Sequence, residues 1–170
     1  FQIAKKCLSY TNVFVEKPLA LNSEEIIELD NLAKSFGRKL MVGHIYRFSN
    51  LIEKIKELLG KNKPETLQIR FLGGMPAKDC GALHEFIHPF DILDYLLEES
   101  PIKIAWIESK INFHSGFEEY AKIEMQYTKT KAIVEVGWLD YPKERSIFIK
   151  TNDKTIKSDN QNLFVDDLKI

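Results

Sequence analysis

The 170-residue chain is 44% apolar, 29% charged and 11% aromatic, which excludes a disordered or fibrous chain and predicts a globular protein with a real core. Its 24 basic and 25 acidic side chains nearly cancel, so no field is present that would recruit nucleic acid or an anionic membrane. Only Cys7 and Cys80 occur, without C-x-x-C spacing, so neither a disulfide framework nor a cysteine zinc site is supported, and a reducing, cytoplasmic setting is expected. No run of about 18 apolar residues is present to span a membrane.

In chain order, residues 2 to 9 place Ile3, Cys7 and Leu8 on one helical face, and "TNVFVEKP" reads as a turn and a short β-branched strand ended by Pro18. "NSEEIIELDNLAKSFG" predicts a helix with Asn22 or Ser23 as N-cap, acids in its first turn, Ile26, Ile27, Leu29 and Leu32 as its apolar residues, and Gly37 at its end. "KLMVGHIYRF" follows as a buried strand, so residues 12 to 44 form a strand, helix, strand unit with parallel strands, the tail of a doubly wound sheet. "NLIEKIKELLG" predicts a helix with Leu51, Ile52, Ile55, Leu58 and Leu59 inward and Gly60 closing it.

The organisation then changes. "ETLQIRFLGG", "IKIAWIESKI", "EYAKIEMQYT", "KAIVEVGWLD" and "RSIFIKTND" are strand candidates, so residues 66 to 157 read as a mainly antiparallel sheet with one helix, 81 to 97, inserted after the first strand. The apolar residues of "IKIAWIESKI" fall on both faces, as expected of a strand with a covered sheet face. A domain boundary is expected near residues 45 to 50. The chain opens at Phe1, inside a helix and without a methionine, and ends at "VDDLKI" without an obvious stop, so it is read as a piece of a longer protein.

Within the inserted helix, His84-Glu85-Phe86-Ile87-His88 matches the H-E-x-x-H pattern of zinc peptidases, in which two His one turn apart chelate Zn²⁺ and the Glu polarises a bound water. Pro89 counts against it, because it has no N–H to give residue 85 and its ring crowds the preceding turn. The longer metzincin pattern also needs Gly at 91 and His at 94, where Asp91 and Asp94 stand. A second reading is a plain amphipathic helix with Leu83, Ile87, Phe90, Leu93 and Leu97 inward and its polar groups solvated. A third uses the spacing of 84, 88 and 91, which share one side of a continuous helix, as a proton-transfer cluster with carboxylates close by.

Beyond these local readings, Glu16-Lys17-Pro18 on its strand, the helix after it and the next strand with Arg47-Phe48 resemble the family of glucose-fructose oxidoreductase and inositol dehydrogenase (Gfo/Idh/MocA). The resemblance extends through "GALHEFIHPFDILDYLL" and the sheet strands of residues 118 to 156, including Trp138 before Pro142 and Arg145 after it. It implies an α/β and α+β chain: residues 1–47 as the C-terminal part of a dinucleotide-binding Rossmann domain, and 48–170 as an open, largely antiparallel sheet domain for substrate binding and oligomerisation. It also implies an NAD- or NADP-dependent oxidoreductase acting on a secondary alcohol of a sugar, cyclitol or sugar nucleotide, and a homodimer or homotetramer formed through the sheet.

By the same resemblance Glu16, Lys17 and Pro18 are cofactor-binding, and Lys17 sits beside the substrate hydroxyl, where a cation stabilises developing alkoxide. His88 is the implied general acid/base, a role suited by an imidazole's ordinary pKa near about 6.5. Glu85 is assigned as its supporting acid, while His84 stands where many relatives carry an Asp. Asp91 is expected either to orient His88 or to cap the helix. Tyr46 and Arg47 are expected to reach the substrate or to pack where the two domains join; with Lys17, His84 and Asp91 they form the expected substrate set. The family's G-x-G-x-x-G loop is not in this sequence, and no metal is expected. The alternatives carried with this reading are a non-catalytic binding or assembly subunit of the same fold, and the zinc peptidase.

Overall fold

A computed structural model describes residues 1–75, 80–138, 142–159 and 161–170. The chain divides into two compact units, Phe1–Ile45 and Tyr46–Ile170. The first holds α1 (Gln2–Leu8), β1 (Val13–Val15), α2 (Ser23–Ser35) and β2 (Leu40–Val42). β1 and β2 pair in parallel, Val13 opposite Leu40 and Val15 opposite Val42, as the strand, helix, strand pattern predicts. The Asn22 side chain accepts the Glu25 N–H at 2.9 Å and starts α2, satisfying one of its orphan donors. Gly37, at φ +60°, lets the chain leave it. Leu8, Leu29, Ala4 and Ala33 make the core of this unit. Of the apolar residues of α2, Leu29 is buried and Leu32 half-buried, in one cluster with α1, β1 and β2, while Ile26 and Ile27 are exposed.

The second unit opens within a 3₁₀ turn, Ile45–Phe48, and continues with α3 (Asn50–Leu59), whose Ile52, Ile55 and Leu59 are buried and which Gly60 closes at φ +55°. Then come β3 (Thr66–Leu72), α4 (Ala82–Glu85), α5 (His88–Leu97), β4 (Lys103–Ile111), β5 (Glu118–Gln126), β6 (Lys131–Gly137), β7 (Glu144–Lys150), β8 (Thr155–Asp159), β9 (Asn162–Val165) and β10 (Leu168–Lys169). The strands form one sheet in the order β10-β9-β8-β7-β3-β6-β5-β4, antiparallel at every pairing except β3 with β6. Alternate residues of the central strands, such as Leu67, Ile69 and Phe71 on β3 and Val134 and Val136 on β6, share a core with the inner faces of α3 and α5.

Three expectations change here. The helix expected over 81 to 97 is two helices: Phe86 turns out of helical geometry at φ −97°, ψ 48°, and Pro89 lies in the first turn of α5, where its missing N–H costs nothing. Within one chain β4, the edge strand paired with β5, is exposed along its whole length, Ile104, Trp106, Ile107 and Ile111 included. The last strand candidate, 145 to 153, is β7 and ends at Lys150, while β8, β9 and β10 match no strand candidate; a turn at Asp166 and Asp167, both at positive φ, joins β9 to β10 as a hairpin. The strand candidate at 131 to 140 ends at Gly137, and its residues 139 and 140 lie outside the described residues, as do 76 to 79 of "FLGGMPAKDCG". Among the described residues no helix is long and apolar enough to cross a membrane.

Candidate active site

In the first unit, Glu16-Lys17-Pro18 leaves the carboxyl end of β1, with Lys17 and Pro18 half-buried and the Lys17–Pro18 bond cis. The Gly43 N–H donates to Val15 O at 2.7 Å just beyond β2. A Cβ at Gly43 would stand 3.0 Å from Oε2 of Glu16, so glycine lets this carboxylate lie against the β2 end. The tripeptide thus occupies the rim where parallel α/β sheets bind their ligands.

The second unit's polar cluster gathers around the break before α5. α4 starts at Gly81, where a Cβ would collide with the Glu118 carboxylate at 2.1 Å, and that carboxylate accepts the Leu83 N–H at 3.1 Å. The chain then leaves helical geometry at Phe86 and re-enters it with His88 as the first residue of α5, half-buried and with Nδ1 turned inward. His84 is exposed and Glu85 half-buried in α4. Because the helix is broken, His84, His88 and Asp91 do not share the single helical side that their spacing predicts, and the one-turn chelate of the zinc reading is not formed. Among the described residues no three His, Cys, Asp or Glu side chains converge as a metal site.

Two residues of the 3₁₀ turn pack on this cluster. The Tyr46 ring lies 4.9 Å from the His88 imidazole, tilted by 56°, and 5.2 Å from Phe71. Burial pushes the Tyr46 phenol above its usual pKa, while the charge and hydrogen bond of Arg145 pull it back in part, so it is a neutral hydroxyl at physiological pH. Arg47 clamps α5: its Nε donates to Asp91 Oδ1 at 2.8 Å and Oδ2 at 3.1 Å, and its Nη2 lies 2.7 Å from Asp91 Oδ1 and 2.8 Å from Asp94 Oδ2. The bond to Asp91 raises the guanidinium pKa above its ordinary value despite some desolvation. The Asp91 side chain is 5% exposed, a buried carboxylate that needs such a partner.

Arg145, to which sequence reasoning assigned no role, is the cation at the centre of this cluster. Burial lowers its pKa, and Tyr46 offsets part of the shift. A cavity of about 870 Å³ opens beside it, lined by Tyr46, Phe71, Lys143, Arg145, Ser158, Asp159 and Asn162 among others. An Arg opening a strand carries no catalytic signature, and its partners come from distant segments, so only the fold reveals it.

Residues 1–44 match the family model described as the oxidoreductase family with an NAD-binding Rossmann fold. The chain is 28% identical over 131 residues to 2,7-anhydro-N-acetylneuraminate hydratase of Escherichia coli (strain K12), a match that covers 67% of this chain and 34% of that protein. UDP-N-acetylglucosamine 3-dehydrogenase from Acidithiobacillus ferrooxidans superposes with a TM-score of 0.85 at 20% identity, over 96% of this chain and 56% of the other. An inositol dehydrogenase homologue from Azotobacter vinelandii, solved with NADH and myo-inositol, gives 0.85 at 18% identity, over 96% and 49%. The chain therefore spans about a third of that curated relative and about half of these solved structures, whose likeness at such identity is one of fold. The family model over residues 1–44 and the shared fold over nearly the whole chain identify it as similar to part of a Gfo/Idh/MocA-family oxidoreductase.

Proposed function

We propose that the intact protein is an NAD- or NADP-dependent oxidoreductase acting on a secondary alcohol of a sugar, cyclitol or sugar nucleotide. The observation that carries this reading is the match of residues 1–44, with Glu16-Lys17-Pro18 at the carboxyl end of β1, to a family described as NAD-binding. Solved relatives of the same fold that hold NAD, or NADH with myo-inositol, support the cofactor and substrate class. Glu16, Lys17 and Pro18 fit a cofactor by their place at the strand end and would border it. A bound nicotinamide supplies the hydride acceptor or donor.

The chain's own residues handle the proton and the charge. His88 takes the hydroxyl proton in oxidation and returns it in reduction; with Nδ1 turned inward, Nε2 is the nitrogen that exchanges it. The Lys17 ammonium stabilises the alkoxide that develops as that proton leaves. Glu85 supports His88 in this scheme, while Arg47 and Asp91 hold α5 in place. His84, exposed on α4, and Tyr46, on the cavity wall, are assigned to substrate contact. The exposed apolar residues of β4 support assembly into a homodimer or homotetramer through the sheet.

The test is a cofactor-reduction screen of the intact protein with NAD and NADP against sugars, cyclitols including myo-inositol, and sugar nucleotides. Formation of reduced nicotinamide with at least one member is the expected outcome, and none with any member counts against the reading. The curated hydratase favours a second reading, loss or addition of water on a sugar. That reading predicts conversion of the sugar with no net change in cofactor.

A further inference from the structure

We infer that Arg145 is a positioning residue for His88, fixing the imidazole through the Tyr46 ring on one side and through Phe86, two residues upstream, on the other. Its Nη1 donates to the carbonyl oxygens of Leu72 at 2.5 Å and Glu144 at 2.6 Å, and its Nη2 reaches the Gly73 carbonyl at 3.5 Å. These bonds anchor the guanidinium to the ends of β3 and β7. Its central carbon lies 5.0 Å from the Phe71 ring centroid and 5.0 Å from that of Phe86, and it interacts with the Tyr46 hydroxyl by charge and hydrogen bonding.

One planar cation thus joins the sheet to both neighbours of His88. Phe86 is the residue at which α4 ends, so holding its ring fixes the non-helical step that delivers His88 to the start of α5. Tyr46 covers the imidazole at 4.9 Å, and its hydroxyl is tied to Arg145. Arg is suited to this and Lys is not, because only a planar fork can stack on rings while donating several directed bonds. The catalytic meaning of this arrangement rests on the reading of His88 as the acid/base. A misplacement of that group by about 1 Å costs up to about 10²-fold in rate.

The experiment reads the His88 ring directly, without turnover. The protein is labelled with ¹³C at histidine Cε1, the His88 signal is assigned by its loss in His88→Gln, and His114, in the loop between β4 and β5, serves as the internal control. Arg145→Gln and Tyr46→Phe each displace the His88 signal beyond its line width and leave that of His114 in place, and the double variant shows less than the sum of the two displacements. A wild-type His88 signal in folded Arg145→Gln, or displacements that simply add, overturns the inference. If Arg145→Gln does not fold, Arg145→Lys replaces it: it keeps the charge but not the stacked plane, and an undisplaced His88 signal there is equally fatal. In the intact enzyme Arg145→Gln lowers kcat by about 10- to 100-fold with little change in KM. Unchanged turnover in His88→Ala would remove the acid/base reading while leaving the spectroscopic result to stand or fall alone.

Discussion

Replacing His88 by alanine in the intact protein lowers turnover by about 10² or more, and Lys17→Ala does the same, while both variants keep the wild-type fold. The size follows from the roles: a positioned acid/base contributes about 10² to 10⁴, and losing one donor aimed at a developing oxyanion costs a comparable factor. The fold survives because both side chains are only half-buried and neither belongs to the apolar cores. The two variants differ in what can rescue them. A small exogenous base restores part of the His88→Ala rate and none of the Lys17→Ala rate, since only the former lacks a proton carrier. Steady-state kinetics of the intact enzyme check this, and wild-type turnover in either variant would remove that residue from the mechanism.

Arg47→Ala lowers the stability of the protein by about 1–3 kcal/mol, the cost of taking away a charged partner from a buried carboxylate. Asp91 is the reason: its side chain is 5% exposed and is gripped by two guanidinium nitrogens, whereas Asp94, at 66%, sits in water and contributes little. Arg47 itself is 37% exposed, so solvent takes up part of the loss and keeps the effect within this range. Adding Asp91→Asn to Arg47→Ala recovers part of the stability, because a neutral amide tolerates the site better than an ion. Urea midpoints at constant slope measure both changes. A loss for Arg47→Ala no larger than that of an exposed pair, about 0.5 kcal/mol, would show that the clamp is only a surface contact.

Asn22, the following acids and Gly37 mark the ends of α2 by chemistry local to the chain, but the buried strand expected over "KLMVGHIYRF" is only Leu40–Val42, half-buried with Met41 exposed, and Ile45–Phe48 is a 3₁₀ turn. Pattern could not say which of the apolar residues of α2 are covered, and Ile26 and Ile27 are exposed. Pro89 signalled a distortion, yet apolar spacing argued for one helix across 81 to 97; the backbone follows the proline, which separates His84 from His88. Alternation identified the central strands. It missed β8, β9 and β10, which are short, the last two joined by a turn with two aspartates at positive φ. The Arg145 arrangement was out of reach of any local signal, since its partners come from the 3₁₀ turn, the end of β3 and the break after α4.

The most direct measurement follows the hydride itself. The intact protein is incubated with oxidised cofactor and the alcohol that turns over, deuterated at the carbon to be oxidised. Deuterium recovered in the reduced nicotinamide, with none lost to solvent, is the predicted result. Conversion of the alcohol with the label left on the sugar or washed into water would contradict it.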